Sequence, residues 1–126
     1  MKILVVDDER DMQMLFEQRF RKEIRENLIE FVFAFSGEEA IYYLNEHEHE
    51  AVLILSDINM PGMSGLDLLG HIKQKHTKPP PVVMMITAYN DKENYNAAME
   101  LGADDFLTKP VDFNLLKEKL KNISDG

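Results

Sequence analysis

Short apolar runs alternate with amphipathic segments along the whole chain. Three of the runs are continuous and rich in valine and isoleucine, which is typical of strands buried on both faces of a parallel sheet. The five runs are Ile3–Val6, Phe31–Phe35, Val52–Leu55, Val82–Ile86 and Phe106–Leu107. The segments between them are long enough for helices that cross over a sheet. This alternation predicts an α/β fold of five strands with right-handed crossovers.

Five helices are predicted from apolar periodicity and from residues that favour helix ends. In the first helix, Met12, Phe16 and Phe20 recur at a spacing of four. The second and third helices each begin with a capping box, Ser36–Glu39 and Ser64–Asp67. The other end signals are Pro79–Pro81 after the third helix, Asn90 or Asp91 and Gly102 around the fourth, and Asp112 before the fifth. The elements predict one domain, residues 1–122, followed by a tail or the start of a linker, residues 123–126.

Composition narrows the class of protein. A chain of 126 residues with 44% hydrophobic residues is long and apolar enough for one domain with a core. No apolar run reaches the roughly 18 residues of a membrane span, and the N-terminus does not resemble a signal peptide. The absence of cysteine excludes disulfides and thiolate metal sites and is compatible with a cytoplasmic protein. A net charge of −9 argues against direct nucleic-acid binding, which depends on lysine and arginine.

Polar side chains follow four of the five predicted strands. The carboxyl ends of parallel strands meet at one edge of the sheet, where open α/β sheets bind ligands. The residues that follow the strands are Asp7, Asp8, Ser56, Asp57, Thr87, Thr108 and Lys109. Each of them alone has an ordinary interpretation as a turn, a helix cap or a solvated side chain. One shared site explains their common position better than four unrelated turns.

The types of side chain at this edge indicate phosphoryl chemistry. Three crowded carboxylates, Asp7, Asp8 and Asp57, repel one another, and a hard divalent cation such as Mg²⁺ relieves that repulsion. The Lys109 ammonium and the Thr87 hydroxyl suit a tetrahedral dianion bound to a carboxylate. Phosphoryl transfer depends mainly on positioning and charge neutralisation, and a carboxylate is an accepted nucleophile that gives an aspartyl phosphate.

The sequence resembles the receiver domains of two-component response regulators over essentially its whole length. Four motifs carry the resemblance: Leu4–Glu9, Asp57–Gly65, Thr87–Ala88, and Gly102–Ala103 followed by Phe106–Pro110. The resemblance implies a single doubly wound, flavodoxin-like (βα)5 domain. In that fold the parallel sheet has strand order 2-1-3-4-5 and carries helices on both faces.

The resemblance also implies a function and a metal. Asp57 would accept a phosphoryl group from a histidine kinase or a phosphotransfer protein in a Mg²⁺-dependent reaction, with Mn²⁺ as a substitute. Asp8, Asp57 and the backbone carbonyl of Asn59 would bind the ion directly, and Asp7 would act through a bound water. The domain would be a signalling switch that catalyses its own phosphorylation and dephosphorylation, and not an enzyme acting on an external substrate.

Further roles are implied around the phosphoryl group. Thr87 would hydrogen-bond the phosphoryl oxygens, Lys109 would pair with them, and the Lys109–Pro110 peptide would be cis. Thr87 and Phe106 would form the switch, although Phe106 lacks the hydroxyl of the tyrosine that many members of the family carry. Asn59 and Tyr89 flank the site at variable positions, and the bulk of Tyr89 is expected to hinder the water that hydrolyses the aspartyl phosphate.

The output of the domain is implied only in general terms. The face formed by the fourth helix, the fifth strand and the fifth helix, with Tyr95, Phe106 and Lys117, would bind an output partner or a fused effector domain, or would form a homodimer. The sequence leaves the kinase, the pathway and the output open.

Two other classes of function are weaker interpretations. A phosphatase with an aspartate nucleophile places that residue after the first strand with a second aspartate two residues on, which the spacing of Asp7, Asp8 and Asp11 does not match. A nucleotide-binding protein of the P-loop type needs a Gly-x-x-x-x-Gly-Lys-Ser/Thr loop, and the sequence has none.

Overall fold

Five parallel strands form one sheet with the order β2-β1-β3-β4-β5. The computed structural model describes residues 1–48, 50, 53–75, 81–88 and 90–125, with the side chains of residues 124 and 125 left aside. The strands are β1 (Lys2–Val6), β2 (Glu30–Ala34), β3 (Leu53–Asp57), β4 (Val82–Ala88) and β5 (Asp105–Lys109). Both the α/β class and the strand order 2-1-3-4-5 are therefore confirmed.

The helices differ from the prediction at the start of the chain. They are α1 (Asp11–Arg19), α2 (Arg21–Arg25), α3 (Gly37–Glu46), α4 (Gly65–Lys75), α5 (Lys92–Glu100) and α6 (Phe113–Asp125). The first predicted helix is broken at Phe20, whose φ of −109° and ψ of 22° lie outside the helical range. The fourth and fifth predicted helices are α5 and α6. The last helix continues to Asp125, beyond the predicted end of the domain at residue 122.

The predicted capping boxes set the first turns of the helices beside the sheet's carboxyl edge. The hydroxyl of Ser36 accepts a hydrogen bond from the backbone N–H of Glu39 at 3.0 Å. At the start of α4 the box is reciprocal, because Ser64 accepts from the Asp67 N–H and Asp67 accepts from the Ser64 N–H. Asp91 caps α5 in the same manner. Side-chain caps therefore fix where α3, α4 and α5 begin.

Each face of the sheet carries its own apolar core. Alternate residues of β1 point to opposite faces, so that Ile3 and Val5 pack with α1 and α6, whereas Leu4 and Val6 pack with α3, α4 and α5. The central strand β3 is buried along its whole length. Among the described residues, no helix is both long and apolar enough to cross a membrane.

Phenylalanine rings fill the core on the α1 and α6 side of the sheet. Phe16 is fully buried, and its ring centroid lies 5.1 to 6.3 Å from the centroids of four other rings. The four neighbours are Phe20, Phe31, Phe33 and Phe113. Aromatic side chains in such arrangements contribute more than their buried area alone. Phe16 therefore connects α1 to β2 and α6.

We expect Phe16→Ala to lower the free energy of unfolding by about 3–5 kcal/mol, because it leaves a cavity among the surrounding rings. Urea denaturation measures the change. The matched control is Tyr42→Ala, since Tyr42 on α3 is 71% exposed and its removal opens no cavity. Equal effects of the two substitutions would contradict this description of the core.

Candidate active site

Three carboxylates meet at the carboxyl edge of the sheet. Asp57 is the last residue of β3, and Asp7 and Asp8 follow β1. One oxygen atom from each of the three carboxylates lies within 4.8 Å of the other two. Asp7 and Asp57 are each only 3% exposed, whereas Asp8 is open to solvent. The predicted acidic cluster is therefore present, and two of its three members are buried.

Lys109, the last residue of β5, reaches into this cluster. Its Nζ donates a hydrogen bond of 2.7 Å to Asp57 Oδ2 and lies 3.8 Å from Asp7 Oδ2. Burial disfavours the charged ammonium, but the hydrogen bond to Asp57 and the charges of Asp57 and Asp7 outweigh it, so the pKa of Lys109 is raised. Lys109 is therefore a fixed positive charge at the site.

Asp7 carries a buried oxygen atom that lacks a hydrogen-bond partner among the described residues. Its Oδ1 accepts a hydrogen bond of 2.9 Å from the backbone N–H of Glu9, whereas its Oδ2 accepts none. Burial raises the pKa of Asp7 above its ordinary value of 3.8, although the Glu9 hydrogen bond and the charge of Lys109 oppose the shift. An unsatisfied oxygen among carboxylates fits a hard cation, which prefers oxygen ligands.

The loop between β3 and α4 is held closely against the end of β3. The backbone N–H of Asn59 donates to Asp57 Oδ1 at 3.3 Å, and that of Ile58 donates to the Ile86 carbonyl at 3.2 Å. The N–H of Gly65 returns to the Ile58 carbonyl at 2.7 Å. A Cβ atom at Gly65 would lie 2.7 Å from Ile58 Cα, so only glycine allows this close return. The loop therefore begins and ends at the Asp57 backbone.

The two predicted switch residues lie on adjacent strands. Thr87 is 4% exposed near the end of β4, and its cross-strand partner is Thr108 on β5. Phe106 is half-buried, and its ring centroid lies 4.3 Å from the ring centroid of Tyr95 on α5. Tyr89, the predicted tuning residue, lies outside the described residues.

Two other residues at the sheet edge do not join the cluster. Ser56 is buried, and its hydroxyl donates to the backbone carbonyl of Asp57 at 3.0 Å. Thr108 is exposed on β5. The peptide bond between Lys109 and Pro110 is cis, as the family resemblance implies.

Lys117 does not belong to the predicted output face. Its Nζ pairs with Glu23 of α2 at 3.2 Å and lies 5.1 Å from the centre of the Phe20 ring. The α6 lysine that contacts β5 is Lys119, which pairs with Asp105 at 2.9 Å. Two residues on a helix differ in direction by about 200°, so Lys117 and Lys119 point to opposite sides of α6.

Comparisons with known proteins agree with this geometry. A model of the response regulator receiver domain family matches residues 3–121. Over 120 residues the chain is 39% identical to the response regulator protein PilR of Pseudomonas aeruginosa, covering 93% of this chain and 24% of that protein. It is 37% identical over 120 residues to a cyclic di-GMP phosphodiesterase of Thermotoga maritima, covering 95% of this chain and 30% of that enzyme.

A solved structure shows the same fold. It is the complex of the histidine phosphotransfer signaling protein Ypd1 of Saccharomyces cerevisiae with the receiver domain of its downstream response regulator Ssk1. The TM-score is 0.80 at 25% identity, and the match covers 94% of this chain and 85% of that chain.

The chain belongs to the family of response regulator receiver domains, which act in two-component signalling. Its fold is like that of the chemotaxis protein CheY4 of Vibrio cholerae, with a TM-score of 0.77 at 25% identity over 96% of each chain. It spans about a quarter to a third of the length of the two curated relatives. The phosphodiesterase name therefore describes a protein that is mostly outside the matched region.

Two features of the site were not predicted from the sequence. The backbone N–H of Glu9 fixes one oxygen of Asp7, and the Ser56 hydroxyl binds backbone instead of facing the acids. An aspartate that accepts from the N–H two residues on is a common turn, so Asp7 itself was the available clue. The direction of the Ser56 side chain follows from burial on the sheet, which the sequence does not specify residue by residue.

We expect Asp7→Asn to stabilise the fold in the absence of divalent cations at neutral pH. The amide keeps an oxygen for the Glu9 N–H but removes a buried charge. Because the folded pKa of Asp7 is raised, its ionisation lowers stability as the pH rises from 3.8 through the folded pKa. The gain should therefore be absent well below pH 3.8 and should grow as the pH rises towards the folded pKa, so that it is present at pH 7.

Denaturant unfolding in EDTA at both pH values measures this gain. Asp11→Asn is the control, because Asp11 is an exposed acid in the first turn of α1. A loss of stability in Asp7→Asn at pH 7 would contradict the conclusion that the buried charge of Asp7 destabilises the fold.

Proposed function

We propose that this domain accepts a phosphoryl group on Asp57 from a histidine kinase or a phosphotransfer protein. The observation that carries the proposal is the 2.7 Å hydrogen bond between Lys109 Nζ and Asp57 Oδ2 within a cluster of three carboxylates. The ammonium beside the buried carboxylate can pair with the oxygens of an incoming phosphoryl group, and a cation in the cluster would offset the remaining negative charge. Family membership supports the same chemistry.

The transfer step forms one bond and breaks another. A carboxylate oxygen of Asp57 bonds to phosphorus while the phosphorus–nitrogen bond of the donor histidine breaks, and the imidazole leaves with the electron pair. Lys109 is already in place to pair with the phosphoryl oxygens. Dephosphorylation reverses the modification, because water attacks the same phosphorus, the bond to Asp57 breaks and inorganic phosphate leaves.

The acidic cluster is the proposed Mg²⁺ site, and Mn²⁺ is a substitute. Asp8, Asp57 and the backbone carbonyl of Asn59 would hold the ion directly, and Asp7 would contribute through a bound water. The unsatisfied Oδ2 atom of Asp7 and the proximity of the three carboxylates support this assignment. When bound, Mg²⁺ offsets the negative charge that the carboxylates and the phosphoryl oxygens bring together.

Thr87 and Phe106 form the proposed switch. Thr87 is buried at the end of β4, where its hydroxyl can turn to a phosphoryl oxygen on the neighbouring strand. The half-buried Phe106 ring packs against Tyr95 of α5. Inward movement of Phe106 requires no hydroxyl to be buried, which removes a cost that tyrosine would have. Tyr95 is then left more exposed on the output face.

The output is proposed to pass through the surface of α5, β5 and α6. A fused effector domain is the favoured recipient of the signal, because the relatives are about three to four times as long as the matched region. A separate partner or a homodimer through the same surface are the alternatives. In each case the domain acts as a switch and does not act as an enzyme on an external phosphorylated substrate.

We expect incubation with Mg²⁺ and a small acyl phosphate to add the mass of one phosphoryl group, located on Asp57 by peptide mapping. Intact-protein mass spectrometry measures the adduct. Asp57→Asn should give none, because an amide is not a nucleophile for phosphorus. Asp11→Asn is the matched control and should be modified like the native chain.

The same experiment tests the competing phosphatase function. Continuous release of phosphate from a phosphate ester, with no adduct on Asp57, would contradict the proposal. A single adduct that decays without turnover of the ester agrees with it.

We expect Mg²⁺ to raise the melting temperature by several degrees, because it binds only the folded acidic cluster. At a concentration of ~100 times Kd, binding adds about 2.7 kcal/mol to the free energy of unfolding. Differential scanning fluorimetry in EDTA and in Mg²⁺ measures the shift. Asp57→Asn should lose most of it, and an unchanged melting temperature in the native chain would exclude a working cation site.

A further inference from the structure

Met63 lies directly on the backbone of Gly37. Gly37 is the first residue of α3, and Met63 belongs to the loop between β3 and α4. A Cβ atom at Gly37 would lie 2.8 Å from both Cγ and Sδ of Met63, and 3.0 Å from its Cβ. Cβ atoms essentially never approach neighbours within 3.0 Å. An alanine at position 37 would therefore displace the Met63 side chain.

The loop that contains Met63 also carries Asn59. Among the described residues, its hydrogen bonds are confined to its two ends, at Ile58 and Asn59 and at Ser64 and Gly65. The middle of the loop is held by side-chain packing. Met60 is buried in the core on the side of the sheet that carries α3, α4 and α5, and Met63 packs on α3.

The start of α3 supports the loop at a second point. Gly62 has a φ of +75°, a conformation that favours glycine, and a Cβ there would lie 3.4 Å from the carboxylate of Glu38. The first two residues of α3, Gly37 and Glu38, thus lie beside two successive loop residues. The Ser36 cap in turn fixes the residue at which α3 begins.

We propose that Gly37 and Met63 are positioning residues for the cation site. Their contact holds the second half of the loop, around Met63, against α3. The loop in turn holds the Asn59 backbone at the distance from Asp57 that the ion requires. This inference rests on the proposed function, because it assigns the Asn59 carbonyl as a ligand. Residues that orient metal ligands commonly change metal affinity about tenfold or more when they are replaced.

The alternative is that the contact contributes only to packing. Gly→Ala in a helix is normally neutral or favourable by about 0.5–1 kcal/mol, because alanine loses less backbone entropy. Alanine at position 37 is therefore not expected to destabilise α3 itself, and the inference attributes weaker Mg²⁺ binding in Gly37→Ala to displacement of Met63. Stability and Mg²⁺ affinity must be measured separately, since a pure packing role changes only the first.

The experiment titrates Mg²⁺ calorimetrically into the whole chain and three variants: Gly37→Ala, Met63→Ala and the double variant. We expect each single variant to weaken the Kd for Mg²⁺ about tenfold. Because both act through one contact, the double variant should be no weaker than Met63→Ala. Met63→Ala removes the contact without overpacking, so it serves as the test if Gly37→Ala does not fold.

Two matched controls have no part in the contact. Gly70→Ala adds a Cβ to α4 that meets only Leu101 at 3.9 Å, an ordinary distance. Met99→Ala removes a methionine that is 54% exposed. Both should keep the native affinity for Mg²⁺.

The outcomes separate this inference from the function on which it rests. Native-like Mg²⁺ affinity in Met63→Ala, with a lowered melting temperature, would overturn the inference and leave the proposed function intact. A native chain that binds no Mg²⁺ would overturn both. Additive losses in the double variant would also contradict a single shared contact.

Discussion

The hydrogen bond between Lys109 and Asp57 is the interaction on which the site depends. One ammonium lies among three carboxylates, so their formal charges sum to −2 around a largely buried Asp57. A carboxylate in such surroundings is costly without a partner, and Lys109 supplies only part of the compensation. The remaining negative charge favours a cation at this edge, as the proposed Mg²⁺ site requires.

The parallel sheet is what brings these groups together. β1, β3 and β5 end at the same edge, and their apolar residues anchor Asp7, Asp57 and Lys109 in the two cores. The strands thus convert hydrophobic burial into a fixed arrangement of charges. The free energy that the crowded acids cost is offset by the packing on both faces, including the phenylalanine cluster around Phe16. Ligand binding can recover part of that cost.

The sequence predicted the features that depend on local pattern. Apolar runs located the strands, and Ser36 and Ser64 located two helix starts, because capping is a contact between residues three apart. The break at Phe20 was missed, since Met12, Phe16 and Phe20 keep one spacing across it. Lys117 was predicted on the wrong side of α6, because the sequence pattern did not define which residues of this helix face β5.

Contacts between distant segments lay beyond the sequence. The strand order came from resemblance to a family, because apolar runs do not reveal which strands are neighbours. Nothing local indicates that Met63 rests on Gly37, 26 positions earlier, or that the Ile58 backbone lies so close to Gly65.

The most direct test of a cation site at this cluster of carboxylates is a carbon-13 NMR titration of the Asp7 carboxyl with and without Mg²⁺. We expect the pKa of Asp7 to lie above 3.8 without the ion and to decrease clearly when Mg²⁺ is added. The same pKa in both conditions would contradict a cation site at this cluster.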